Sequence, residues 1–213
     1  MTELRLTRPG RAEIEIKRSR FIALARPVSS VEEARALLAD ARSEFPDARH
    51  HCSAYVVSVP GAQPILHSSD DGEPSGTAGR PMLDVLTGHE LMDVAVVVVR
   101  YFGGTLLGTG GLVRAYSDAV RAVLSGEPVT YRTTRPLMRV SAMHARAGKL
   151  EADLRGRGYD VVGTEYGPTR VHIDVAGEDG FAQEVAELSA GAALVEEVGV
   201  VVRDVPAGTL PTW

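Results

Sequence analysis

A single cysteine, Cys52, stands in 213 residues. That excludes an intramolecular disulfide and any zinc site built on clustered cysteines, and it suits a reducing cytoplasm. Long apolar runs are missing as well. The longest, residues 94–99, has the length of a strand and falls far short of the roughly 18 residues a membrane helix needs. The first twenty residues contain no apolar stretch of the kind that drives secretion, so no signal peptide is expected. A basic excess is absent too: the net charge is −5, whereas a wholesale nucleic-acid binder usually carries a basic domain. These absences describe a cytoplasmic globular protein with no membrane segment.

What is present supports a core of ordinary size. Hydrophobic residues make up 44% and charged residues 24% of the chain, and the length allows one large or two small domains. Charge is uneven. Residues 1–135 hold 16 Lys and Arg against 16 Asp and Glu, while residues 136–213 hold 7 against 12, so the acidic excess lies in the last third. Residues 1–26 hold seven basic groups against three acidic ones. This local basic edge (Arg5, Arg8, Arg11, Lys17, Arg18, Arg20) marks Lys17, Arg18 and Arg20 as candidate nucleic-acid contacts.

Along the chain, Ala12, Ile14 and Ile16 alternate with charged residues as a half-buried strand. A turn at Arg18–Ser19 then leads to a return strand, residues 21–25. Ser30 and Glu33 form a capping box ahead of a helix that Pro46 stops. Strands are expected over 51–59 and 64–67, a polar loop over 68–81, a helix over 82–90 and a fully buried strand over 94–101. A run with five glycines then opens a helix over 112–124. The stretch YRTTRP (131–136) reads as a boundary. Beyond it the order is strand, helix, strand, strand, helix, strand, which is the ferredoxin-like split βαβ pattern. The expected domains are residues 1–135 and 136–204, with 205–213 a flexible tail. The fold class is α+β.

Familiar catalytic signatures fail. Gly103 and Gly108 resemble the front of a phosphate-binding loop, but Thr109 stands where the lysine is required. The G-x-G-x-x-G spacing is absent, and Gly72–Gly76 is one residue short of a nucleophile elbow. No cofactor is expected. Four groups of residues remain. His50 and His51 point to opposite faces of a strand; His51 is either a base or ligand, or a hydrogen-bonded, partly buried histidine. Cys52 reads as a core residue. Asp70, Asp71 and Glu73 either take a hard cation or cap a neighbouring helix. The glycine loop (Gly103, Gly104, Gly108, Gly110, Gly111), flanked by Arg100 and Arg114, either seats an anion at a helix start or serves tight turns.

Residues 79–108, GRPMLDVLTGHELMDVAVVVVRYFGGTLLG, resemble the signature of the IMPACT family in its bacterial YigZ-type form. EIKRSRFIA (15–23), His50-His51-Cys52, DDGEPSGTAG (70–79) and GTGGLVRAY (108–116) match as well. The resemblance covers most of residues 13–125. It implies a first domain similar to domain IV of elongation factor G and to the second domain of a small-subunit ribosomal protein. It implies a ferredoxin-like second domain similar to that factor's domain V, and a link to translation control. Many members carry a lysine where this chain has Leu106, which weakens an anion site here. The extra N-terminal domain of eukaryotic members is not expected in this chain. Three functions are thus in play. The first is a non-enzymatic, translation-linked protein touching RNA, the ribosome or a translation factor. The second is a hydrolase-like enzyme using His51, Asp70, Asp71, Glu73 and Arg100. The third is a protein-partner module.

Overall fold

The computed structural model describes residues 3–213. The chain divides into two compact units, one running to Arg132 and rejoined by Val205–Trp213, the other formed by Thr133–Asp204. The first unit contains β1 (Leu4–Leu6), β2 (Gly10–Ile16), β3 (Ser19–Pro27), α1 (Val31–Glu44), β4 (His50–Val57), β5 (Ile65–Ser69), α2 (Gly79–Gly88), β6 (Val94–Tyr101) and α3 (Thr109–Leu124). β7 (Pro128–Ala142) leads to α4 (His144–Gly156), β8 (Val161–Tyr166), β9 (Val171–Ala176), α5 (Phe181–Ser189) and β10 (Leu194–Thr209). Among the described residues no helix is long and apolar enough to cross a membrane.

The first sheet is antiparallel in the order β2-β3-β6-β4-β5. β6 lies at its centre, and both of its faces are covered, which is why its valines run without a break. Val94, Val96 and Val98 join the core against α2 and α3, while Ala95, Val97 and Val99 join the core on the α1 side. All six are at most 2% exposed, and each buried valine side chain contributes about 1.5–3 kcal/mol. β6 therefore fixes its neighbours in place.

Local signals are realised with small shifts. Ser30 Oγ accepts the Glu33 N–H at 3.2 Å, and Glu33 returns a carboxylate oxygen to the N–H of Ser29 at 2.6 Å, one residue ahead of the usual capping-box partner. The β2–β3 turn is Lys17–Arg18, not Arg18–Ser19, because Ser19 pairs with Ile16. Both turn residues have positive φ, 48° and 66°, the left-handed pair that a two-residue hairpin twisted like its strands requires.

In the second unit β7 pairs with β9, and β9 with β8, all antiparallel; β10 also pairs with β7. The order βαββαβ is the ferredoxin-like one. Its core gathers Val140, Leu150, Leu154, Ile173, Val175, Phe181 and Val185. With helices over sheets in both units, the chain is α+β.

The division between the units falls at Arg132–Thr133, inside the stretch 131–136 read as a boundary, and β7 runs through it; its β-branched and aromatic residues (Val129, Thr130, Tyr131, Thr133, Thr134) favour extended backbone. One expectation changes. The expected tail is strand to Thr209. Leu210 is 4% exposed in the first unit's core, and its N–H donates to the Glu127 carbonyl at 2.9 Å. Burial of one leucine outweighs the local preference of a Pro- and Gly-containing segment. Leu210→Ala is therefore expected to cost about 2–4 kcal/mol, read as a lowered urea midpoint at unchanged m-value; a shift below about 0.5 kcal/mol would restore the loose tail.

Candidate functional site

Antiparallel register gathers chemistry at one end of the first sheet. Arg100, one residue from the end of β6, faces Phe21 on β3 and His50 on β4. Alternation puts these side chains on the α2 and α3 side, in step with Val98, Ala23 and Cys52. A cleft of about 400 Å³ opens there, lined by Arg49, His50, Glu73, Pro74, Arg100, Phe102 and, from the following segment, Leu106 to Thr109 and Leu112. A larger cavity of about 470 Å³ in the second unit is lined by α4 and the end of α5. Its basic groups, Arg146 and Lys149, are exposed, and no buried charge faces it, so the smaller cleft carries the site.

Arg100 organises the cleft. Its side chain is 7% exposed, and Nη1 donates to Glu73 Oε1 at 2.6 Å. The Tyr116 hydroxyl donates to the same oxygen at 2.8 Å. The guanidinium lies over the rings of Phe21 (5.5 Å) and Phe102 (5.8 Å), while Phe21 meets Tyr116 edge to face at 5.3 Å. Arg100 Nε is buried without a partner.

The three loop carboxylates diverge. Asp70 accepts the N–H groups of Gly76 (2.7 Å), Ala78 and Gly79 (both 2.9 Å). Burial acts to raise its pKa, but these three donors outweigh it and hold the carboxyl below its ordinary value. A depressed folded-state pKa contributes stability above the ordinary carboxylate range, and that contribution is lost as pH falls through it. Asp71 accepts the His51 N–H at 2.7 Å and pairs with Arg42 at 2.9 Å. Glu73 is taken by Arg100 and Tyr116. Asp70 thus follows the capping alternative. Among the described residues no group of three or more His, Cys, Asp or Glu is placed to hold a metal ion.

His51 is buried on the opposite face, where its Nε2–H donates to the Phe45 carbonyl at 3.0 Å. Of the five residues considered for an enzyme, only Glu73 and Arg100 line the cleft, and each is occupied by the other; His51, Asp70 and Asp71 are not brought in. His50 lines it instead. Its Nδ1–H donates to the Asp71 carbonyl at 2.9 Å, which leaves Nε2 a lone-pair acceptor in the neutral ring. Strand alternation could have found it, since His50 must share a face with the core residue Cys52. Cys52 is fully buried, and its thiol donates to the Asp70 carbonyl at 3.0 Å. Burial pushes its pKa up to about 12.

The glycines separate by role. A Cβ on Gly103 would lie 2.0 Å from the Arg18 carbonyl carbon, and its N–H already donates to Ser19 Oγ at 3.1 Å, so Gly103 serves close packing. Gly104 and Gly108 have positive φ, 82° and 72°. Gly108 caps α3 with no side-chain oxygen, and Gly110 has open space where a Cβ would stand. Arg114 is exposed on α3 and does not line the cleft.

Most of the basic edge is neutralised. Arg5 pairs with Asp93, Arg8 with Glu127, Arg11 with Glu44, and Arg20 with Glu13. Arg18 instead donates to Thr105 Oγ1 at 3.2 Å. The Impact N-terminal domain family matches residues 17–124, a span that holds every residue lining the cleft. The family member YigZ of Escherichia coli is 39% identical over 180 residues, 83% of this chain and 88% of its own. This chain belongs to the IMPACT family. The Haemophilus influenzae member is 54% identical over 112 residues, so the match spans 53% of this chain and only 54% of that one. A solved structure described as a hypothetical protein shares 36% identity with a TM-score of 0.59, covering 92% of this chain and 97% of its own. The Escherichia coli match and the match to the solved structure run through both units, whereas the family domain itself lies within the first.

Two outcomes follow for this family member. Glu73→Ala strands a buried guanidinium and is expected to cost about 3–5 kcal/mol in urea unfolding, with Glu73→Gln, which keeps an acceptor for Tyr116, clearly milder; equal losses would leave the lost charge as the whole cost and remove the acceptor from the account. Cys52 is expected to resist iodoacetamide in the native protein at pH 8 and to react fully in denaturant. Rapid native alkylation would contradict the burial and the raised pKa.

Proposed function

We propose that this IMPACT family member is a non-enzymatic, translation-linked protein of the cytoplasm that contacts RNA through the open end of its first sheet. One observation carries the reading. At that end Lys17, Arg18 and Arg49 have no carboxylate partner among the described residues, and Phe102, which lines the cleft with Arg49, is 53% exposed. Unpaired cations beside an exposed ring are what a single strand needs, phosphate neutralisation from the first and base stacking from the second.

Geometry explains why these groups share an end. Lys17 and Arg18 form the β2–β3 turn, Arg49 precedes β4, and Phe102 follows β6; antiparallel pairing brings the three junctions side by side. Arg8, Arg11 and Arg20 are held by carboxylates, and the acidic excess of residues 136–213 assigns the contact to the first unit. The family resemblance supplies the setting, translation control, with the ribosome or a translation factor as the environment of the RNA. The scattered fate of His51, Asp70 and Asp71 supports the non-enzymatic half of the reading.

Anisotropy with single-stranded RNA across a salt series tests it. Replacing Lys17, Arg18 and Arg49 together by Gln is expected to weaken binding and to flatten the slope of log K against log salt by about 2, since each neutralised phosphate contributes roughly 0.7. Arg11→Gln with Arg20→Gln should change little. No binding at low salt, or a slope unmoved by the triple substitution, would overturn the RNA contact.

A further inference from the structure

Buried polar atoms in folded proteins nearly always find a partner, and Arg100 Nε does not. The side chain is 7% exposed, its Nη1 is held by Glu73, and its Nε is buried without an acceptor while the group lines the cleft. Across the same cleft α3 begins. That helix has 16 residues, its cap Gly108 offers no side-chain oxygen, and among the described residues nothing caps the N–H groups of Thr109, Gly110 and Gly111. Two unrelated sets of donors, one from a strand end and one from a helix start, therefore converge on a single space and lack the same thing, an anion.

We propose that this cleft seats the 5′-phosphate of a nucleotide, with Phe102 as the platform for its base. The assignment rests on the RNA contact argued above and names the group that contact recognises. Arg49 and Arg100 oppose only Glu73, whose Oε1 is already engaged from two sides, so the cleft carries a net positive charge with His50 neutral. A phosphate monoester presents three unsubstituted oxygens, one each for the Arg100 guanidinium, Arg49 and the α3 N–H groups. A backbone diester presents two, and must also find two exits for its chain. Gly110 has nothing within 4 Å of its missing Cβ, so a phosphate can approach the backbone there. A volume of about 400 Å³ lies within the range of single-ligand clefts. The Phe102 ring has the Arg100 guanidinium over it at 5.8 Å and is 53% exposed.

The experiment compares one RNA sequence carrying a 5′-phosphate or a 5′-hydroxyl, together with adenosine 5′-monophosphate and adenosine, by anisotropy and by amide NMR of the full chain. The phosphorylated RNA is expected to bind at least about tenfold tighter, the worth of one charge-assisted hydrogen bond. The monophosphate, and not adenosine, should shift the amides of residues 109–111. Arg49 is exposed and unpaired, so Arg49→Gln leaves the fold intact and should cost about threefold; Leu106→Lys, adding a cation at an 83% exposed position on the rim, should gain about as much. Arg100→Gln is tested with Glu73→Gln, so that no buried charge is left alone. If both RNAs bind equally and the monophosphate moves nothing at 109–111, the seat is wrong while the RNA contact stands. If the monophosphate shifts those amides but neither RNA binds, the seat holds and the RNA contact is wrong. Silence from all four ligands overturns both.

Discussion

The ion pair between Arg100 and Glu73 is made where neither charge can stay in water. Burying both costs several kcal/mol per ion before any attraction is counted. The cost is offset by a second donor on the same carboxylate oxygen, the Tyr116 hydroxyl, and by two aromatic rings against the guanidinium. Everything at this end of the sheet depends on that arrangement. Glu73 draws the 70–78 loop down onto β6; Asp70 then satisfies the N–H groups at the start of α2, and Tyr116 ties α3 to the same point. Three segments far apart in the sequence share one carboxylate oxygen.

A second constraint acts at the hairpin. Left-handed backbone costs a non-glycine residue roughly 1 kcal/mol or more, yet Lys17 and Arg18 both adopt it. Gly103 accommodates the result, since only a residue without a Cβ allows the Arg18 carbonyl so close. Strain held this way by its surroundings is a mark of functional segments. Here it places two charged side chains at the tip of a stiff two-residue turn, where little ordering remains to be done on binding. The other cations of the edge are each matched by a carboxylate, so charge alone did not decide which residues face a ligand.

The elements were legible because their signals are local. Alternation marked β2, the capping box marked the start of α1, and six consecutive apolar residues marked a strand covered on both faces. The ferredoxin-like order of the second unit followed from the same reasoning. The site was legible in its glycines, in Arg100 and in Glu73, as groups awaiting a role, but not in the pairing of the last two. Glu73 lies 27 residues from Arg100, and no periodicity links a polar loop to the end of a strand. For the same reason Arg100 read as a free cation beside the glycine loop, when most of its charge is spoken for. The choice between His50 and His51 was open to a further step. Once Cys52 was taken as core, parity put His50 on the α2 and α3 face and His51 on the other. The final stretch of the last strand, residues 205–209, was read as a tail because Pro206 and Gly208 argue locally against a strand, whereas burial of Leu210 decides it from a distance.

The electrostatics of the cleft favour holding a ligand over transforming one. A nucleophile needs a low pKa or a free base beside it; the Cys52 thiol has neither, and the carboxylate beside the Tyr116 hydroxyl, Glu73, is already paired with Arg100. Burial pushes the Tyr116 phenol far above its ordinary value, with Cys52 and the Glu73 charge adding to the rise, and it pushes the Cys52 thiol up to about 12. Among the described residues no hydroxyl or thiol hydrogen-bonds to His50 Nε2. What the cleft does have is fixed: a guanidinium clamped between rings, a helix start with its N–H groups open, and a loop pinned at both Asp70 and Glu73. Donors held still in this way can seat an anion with little left to order.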